Sequence, residues 1–282
     1  MDNPIANPAD LADAKAIGRW AECYRRLREG GLSADDFQAP IDDPDFRACL
    51  IGFWKHRGDN VVVPIPNLLV SDEEARVITV LGERKVITTA QAVVAWPGAS
   101  IPANVPIRYS EETLQECARE NQGGGTDWRL VYIHGLSLRE QRKQIGVNRD
   151  HQPCFYNSDW WLQEKEDGWA NFKPESGYYL VDFNGRFGLT SWKKQDKKIA
   201  ELGDQFERTH ETVVAEAVLS IFKTTQERLL ENRYHWGVSL DSVGLRVLVG
   251  LFDRRGLVVS RYHPDWDDCG HLRVCLFRKF NT

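Results

Sequence analysis

Long apolar runs are missing from this chain. None approaches the roughly 18 consecutive apolar residues of a membrane-spanning helix, so no span is expected. The opening MDNPIANPADLADAK has neither a basic stretch nor an apolar one, and so does not read as a secretory signal. The cysteines, Cys23, Cys49, Cys117, Cys154, Cys269 and Cys275, form no CxxC pair and no short disulfide framework. Reduced thiols are therefore expected, in a cytoplasmic protein or one delivered to a surface without a recognisable signal peptide. The usual catalytic signatures are also missing. No GxGxxG or P-loop follows an expected strand, and no GxSxG elbow exposes a serine. His210-Glu211 begins like a zinc-protease motif, but Val214 stands where the second imidazole belongs. No catalytic residue, metal ligand or cofactor is expected, and His210 is read as solvated or capping.

Charge excludes further classes. A formal net charge of −5 gives no reason to expect nucleic acid or an anionic membrane as partner. The other gap is local. Residues 1–231 contain 19 Glu, 11 Gln, 11 Lys and 1 Met, whereas 232–282 contain only Lys279 of these four types. Strands are poor in Glu and Lys, yet that preference rarely empties a segment of this length. In their place stand Arg, Asp, Ser, Tyr, His, Gly, Val and Leu.

What is present divides into three zones. Ile17, Trp20, Tyr24 and Leu27 fall on one helical face, and Asp43-Pro44 opens a second helix through Phe46, Leu50 and Phe53. Val61 to Ile65 reads as extended. Residues 71–96 are ambiguous: Ser71-Asp72-Glu73-Glu74 has the form of a capping box, but 76–80 is β-branched enough for a strand. After Gly123-Gly124-Gly125, Trp128 to Ile133 predicts a strand and Ser137 to Ile145 a helix. Trp160, Trp161 and Trp169 crowd the next loop, where they either cover a core edge or form a stacking site.

The third zone starts with a strand at Tyr178–Phe183 and a helix at Trp192–Leu202 stopped by Gly203. Asp204-Gln205-Phe206-Glu207 then suggests the cap of a long helix whose apolar face is Val213, Val214, Ala217, Val218, Ile221 and Phe222. From Tyr234 the period becomes two, with a hairpin loop at Asp253–Gly256. That alternation sets Val247 and Val249 against Arg246, Leu248 and Gly250, Leu257 and Val259 against Val258, and Leu272 and Val274 against His271, Arg273 and Cys275. It places Leu248, Leu251, Val258 and Phe277 at exposed positions, as contact with a partner would require. Asp265, Asp267 and Asp268 surround Trp266, but the six to eight oxygens that calcium needs are not apparent. The plainer reading is a solvated loop with Trp266 plugging the core.

The strand–helix–helix–strands order resembles a C-type lectin fold. The chain's end is similar to the variable proteins of diversity-generating retroelements. The residues that carry this likeness are Tyr234-His235-Trp236-Gly237, Arg246-Val247-x-Val249, Gly256-Leu257-x-Val259, Trp266-x-Asp268, Leu272-x-Val274 and Arg278-Lys279-Phe280. In that family a reverse transcriptase copies a template with errors at adenines and rewrites the C-terminal coding stretch. Randomised AAC or AAT codons cannot yield Glu, Gln, Lys, Met or Trp, which matches the local gap. The absence of Ala and Ile from the same stretch does not follow from that code.

The resemblance implies an α+β protein with an N-terminal helical and mixed accessory region at 1–125. A C-type lectin-like domain, built of a strand, two helices and an antiparallel sheet, would span 126–282, with a variable region at about 239–277. It implies a non-catalytic receptor or adhesin-like protein that binds an unknown protein or surface ligand. On this resemblance Trp236, Val247, Val249, Leu257, Val259, Trp266, Leu272 and Val274 are scaffold, and the candidate variable, ligand-facing residues are Leu245, Leu248, Gly250, Leu251, Arg254, Val258, Ser260, Tyr262, His263, Cys269, His271, Arg273 and Cys275. Sugar-binding lectins place E-P-N or Q-P-D well before W-N-D. Here His263-Pro264-Asp265 abuts Trp266-Asp267-Asp268, so calcium-dependent sugar binding is not expected. Eight basic and five acidic residues in 232–282 favour an acidic patch on a protein target. Two other classes stay open. One is an enzyme whose pocket is lined by the Trp-rich loop with His151 and Cys154; the other is a subunit that buries the same face by symmetry.

Overall fold

The computed structural model describes residues 70–97, 99, 105–163, 168–266 and 270–280. All lie in the compact unit Gly58–Thr282. The helices expected at 17–27 and 46–53 and the extended piece at 61–65 fall outside the described residues. Among the described residues are six α-helices and a mixed sheet of eight strands, an α+β arrangement.

Helix α1 (Asp72–Leu81) resolves the ambiguity at 71–96 through its cap. The Ser71 hydroxyl accepts from the Glu74 amide, and the Glu74 carboxylate accepts from the Ser71 amide at 2.7 Å. Two otherwise orphaned donors are satisfied, and this outweighs the weak strand preference of 76–80. Strand β1 (Val86–Ile87), α2 (Thr89–Ala95) and α3 (Glu111–Gln122) follow. Their apolar side chains enter the core of the later strands: Val77, Trp96, Leu114 and Cys117 share one buried cluster with Val181, Val214 and Leu276. Trp96 Nε1 donates to Ser220 Oγ at 2.7 Å, and the Tyr109 hydroxyl bridges Leu180 and Arg278. The division expected at 125/126 is therefore corrected. Residues 72–122 are part of this core rather than an accessory region.

Next come β2 (Trp128–Ile133), α4 (Leu138–Ile145), β3 (Gly177–Arg186), α5 (Trp192–Leu202), β4 (Phe206–Arg208) and α6 (Glu211–Thr225). Strands β5 (Tyr234–Leu240), β6 (Arg246–Asp253), β7 (Gly256–Tyr262) and β8 (Leu272–Arg278) complete the domain. The sheet order is β1-β2-β3-β8-β5-β6-β7, with β4 beside β8. After the β5–β6–β7 meander the chain returns through the middle. Strand β8 therefore lies antiparallel to β3 but parallel to β5, and the purely antiparallel end expected from sequence is corrected.

Two further expectations change at α6. The sequence Asp204 to Glu207 does not open it, because Phe206–Arg208 pairs with 276–278 of β8. Strand β5 covers only Leu272 and Arg273 of that strand, so the backbone groups farther along need another partner, and β4 supplies it. The helix starts at Glu211, where His210 is the N-cap and its Nδ1 accepts from the Thr212 amide at 3.2 Å. Every residue from Glu211 to Phe222 is buried. Helix α6 packs against α2, α4, β2, β5 and β6, which makes it a central rod rather than one with a single apolar face. Its Glu216 carboxylate is held in this interior by the amides of His134 and Leu136, and burial pushes its pKa up.

Candidate ligand-binding face

Strands β6 and β7 pair in the register Arg246 with Tyr262, Leu248 with Ser260 and Gly250 with Val258. Side chains alternate along a strand, so these six share a face. Val247, Val249, Leu257 and Val259 point the other way, into the core around α6. Strand β5 adds Tyr234 and Trp236, opposite Gly250 and Leu248. On this outer face Trp236, Leu248 and Leu272 form a second, small apolar cluster, with Trp192, Tyr234 and Tyr262 packed against it. Aromatic rings continue it outward. Tyr262 meets Trp236 edge-on at 6.1 Å and Trp266 at 5.3 Å, and His263 stacks on Trp266 at 5.5 Å.

This geometry corrects several candidate positions. Leu248 is 2% exposed, because the outer face carries its own cluster instead of meeting water. Gly250 has φ 153°, and a Cβ there would lie 2.7 Å from the Tyr234 Cα and closer still to the Arg233 carbonyl. Variation at that site is excluded by backbone contact. Cys275 is 1% exposed: its carbonyl accepts from the Thr209 amide and hydroxyl, and its amide donates to His235. Phe277, expected at an exposed position, is buried in the main core. Trp266, expected to plug the core, is instead 56% exposed.

The remaining positions do not converge on one patch. Arg254 and His271 are exposed; Leu245, Leu251, Val258, Ser260, Tyr262, His263 and Arg273 are half-buried. Leu251 and Arg254 lie toward the β6–β7 turn, where the Arg254 carbonyl accepts from Gln152. Tyr262 and His263 are at the opposite end of β7. His271 bonds to the Asn232 carbonyl at 3.0 Å, and Arg273 donates to Gly185 at 3.3 Å. Cys269, Asp267 and Asp268 lie outside the described residues. Asp265 is exposed and sits 3.4 Å from the Lys193 ammonium. No group of three metal-ligating side chains occurs among the described residues.

Sequence reasoning missed Trp192 and Arg246. The Arg246 guanidinium lies over the Trp192 ring, 3.7 Å from its centroid, and donates to the Val238 carbonyl. Trp192 is itself held by its Nε1, which donates to the Gly237 carbonyl at 2.9 Å. Gly237 must be glycine, since a Cβ would sit 2.9 Å from the Glu211 Cβ. Glu211 in turn accepts from the Val238 amide at 3.0 Å. Arg208 also stacks on Trp192, at 4.5 Å, and pairs with Asp196 at 2.8 Å; burial lowers its pKa to about 10. The register Tyr-His-Trp-Gly followed by Arg-Val was the signal in sequence, but α5 is needed to bring Trp192 to it.

The thiol proposed for an enzyme pocket is placed differently. Cys154 is buried, and its sulfur meets Gln152 Nε2 at 3.2 Å and the Arg255 carbonyl at 3.8 Å. His151, an exposed residue, is not among these partners. Burial pushes the Cys154 thiol up, away from the reactive thiolate. The nearby tryptophans form a core edge: Trp161 packs on Phe155 at 6.1 Å and Trp169 on Trp160 at 5.8 Å. Comparison with family models, curated proteins and solved structures finds no match for this chain.

Proposed function

We propose that this is a non-catalytic, receptor or adhesin-like ligand-binding protein on a C-type lectin-like scaffold, with a C-terminal face diversified by a retroelement. The observation that carries the reading is the register of β6 and β7. It separates the core residues Val247, Val249, Leu257 and Val259 from an outer face bearing Val258, Ser260 and Tyr262. Side chains on that face can change while the core stays packed. The loss of Glu, Gln and Met from 232–282, with Lys kept only at 279, supports diversification at adenines. The scaffold reading is supported by β3 pairing antiparallel with the terminal β8, with α5 and α6 between them in sequence.

A rigid sheet lowers the ordering cost of binding, and aromatic and arginine side chains provide the contact energy. The contact set on this reading is Leu245, Leu251, Arg254, Val258, Ser260, Tyr262, His263, His271 and Arg273, without the three buried positions and without Cys269, which lies outside the described residues. The reading is tested by exchanging these residues for those of a sibling protein. Partners captured from surface extracts should change, while circular dichroism stays the same. Identical partners for two well-folded versions would move the binding site elsewhere. The diversification is tested in the flanking DNA: a near-repeat of the 3′ coding end, differing at adenines and lying beside a reverse transcriptase, is expected.

A further inference from the structure

Net charge over 232–282 conceals how that charge is used. Arg255 pairs with Asp253, Arg261 with Asp241 and Arg278 with Glu116, each within 2.7 Å. Arg233 and Arg273 are turned to the carbonyls of Asn184 and Gly185. Arg254, exposed at the β6–β7 turn, and Arg246 have no such carboxylate among the described residues, and of the two only Arg246 is held in place. Among the described residues no carboxylate lies within 4.0 Å of its guanidinium, and its Nε is shielded from water without a hydrogen-bond partner. Two carboxylates act on Arg246 from farther away, and both are engaged elsewhere: Asp196 pairs with Arg208, and Glu211 accepts from the Val238 amide. Arg246 is nonetheless held in place by the Trp192 ring and the Val238 carbonyl. It stands directly opposite Tyr262, where β6 begins and β7 ends, beside the aromatic part of the outer face.

We infer that Arg246, stacked on Trp192, is the fixed anchor of the binding face and receives a carboxylate from an acidic protein segment. The inference rests on the ligand-binding reading above and gives the class of its ligand. A planar guanidinium held on an aromatic ring is pre-organised for a two-point bond to a carboxylate, and less of its freedom is lost on binding. Tyr262 and the exposed Trp266 supply apolar contact beside it, and the exposed Lys193 adds a positive charge that its neighbour Asp265, 3.4 Å away, partly offsets. The arrangement assigns different tasks to neighbouring residues. Arg246 and Trp192 hold the acidic group whatever the ligand, and Tyr262, Ser260 and His263 determine which acidic segment is accepted.

The probe is a fluorescent oligo-glutamate peptide, compared with oligo-glutamine of the same length and followed by anisotropy on the full chain at low ionic strength. Preferential binding of the glutamate peptide is expected. Arg246→Gln should weaken it by about tenfold or more, as loss of a charge-assisted bond implies. Arg246→Lys should restore part of the affinity but not all, since an ammonium cannot make the two-point contact. Because Arg246 also holds the Val238 carbonyl, the exposed Lys193→Gln is a second variant, expected to fold and to lose a smaller, salt-sensitive part of the affinity. Equal binding of the two peptides overturns the inference, as does unchanged affinity in a folded Arg246→Gln protein. If that variant does not fold, unchanged affinity and salt dependence in Lys193→Gln overturns it. None of these results would disturb the residue-exchange test above, so an unanchored binding face and an absent one are distinguishable.

Discussion

His235 accepts the backbone N–H of Cys275 on Nδ1 at 3.0 Å, and its other nitrogen meets the Thr209 carbonyl at 2.7 Å. The ring is therefore neutral with its proton on Nε2, and it joins β5 to β8 and to the segment before α6. Burial, followed by the nearby Arg208 charge, lowers its pKa from 6.5 to about 3. Below pH 6.5 the unfolded chain binds a proton that the folded chain refuses. The stabilisation is complete above that pH and is lost as pH falls from 6.5 toward 3, at a limiting slope of about 1.4 kcal/mol per pH unit. Urea unfolding across that range should show the slope. His235→Phe should reduce the slope, and it should lower stability at neutral pH by about 2 kcal/mol or more, because it strands a buried amide and carbonyl. A pH profile unchanged by the substitution would refute the assignment.

Gly250 and Ser260 both belong to the outer face, but only one tolerates change. Gly250→Ala forces a Cβ into the β5 backbone and should cost about 2 kcal/mol or more. Ser260→Ala should stay within about 0.5 kcal/mol. Thermal melts of the two variants decide the matter; comparable losses would mean that the face is not divided as its contacts indicate.

Core and rim should separate in the same way. Val249→Asp places a charge in a fully buried site and should cost about 3 kcal/mol or more. His271→Asn and Arg254→Ser, both exposed, should leave the melting midpoint nearly unchanged. Tyr262→Ser lies between, because its ring packs on Trp236, and about 1–2 kcal/mol is expected. Equal losses in all four would remove the distinction between scaffold and display.

The thiols of Cys117, Cys154 and Cys275 are free and buried, and burial raises each of their pKa values, that of Cys117 to about 12. Iodoacetamide should label these three positions in the native protein far more slowly than in urea, as mapped by mass spectrometry of the digest. Rapid native labelling of Cys154 would revive the reading of a reactive thiol in the Trp-rich loop.

The sequence by itself determined the elements whose signals are local. Ser137 at the start of α4 and Gly203 at the end of α5 act through bonds a few residues long, and α4 and α5 are found where they place them, whereas Ser71 with Glu74 left 71–96 open between helix and strand until the structure showed α1. Period-two alternation likewise marked Val247, Val249, Leu257 and Val259 as core, since a strand's neighbours dictate which way it points. Tertiary structure decided everything that depends on distant partners. The D-x-x-E at 204–207 looked like a cap, but β8 needed a strand there. Leu248 alternates like a surface residue, yet Trp236 and Leu272 cover it. Trp266 reads as a core residue but has no core to enter, and Arg246 reads as one more surface charge until α5 brings Trp192 beneath it. Alternation tells a side chain which face to take. Whether that face meets water, a helix or a ligand depends on which distant elements pack against it.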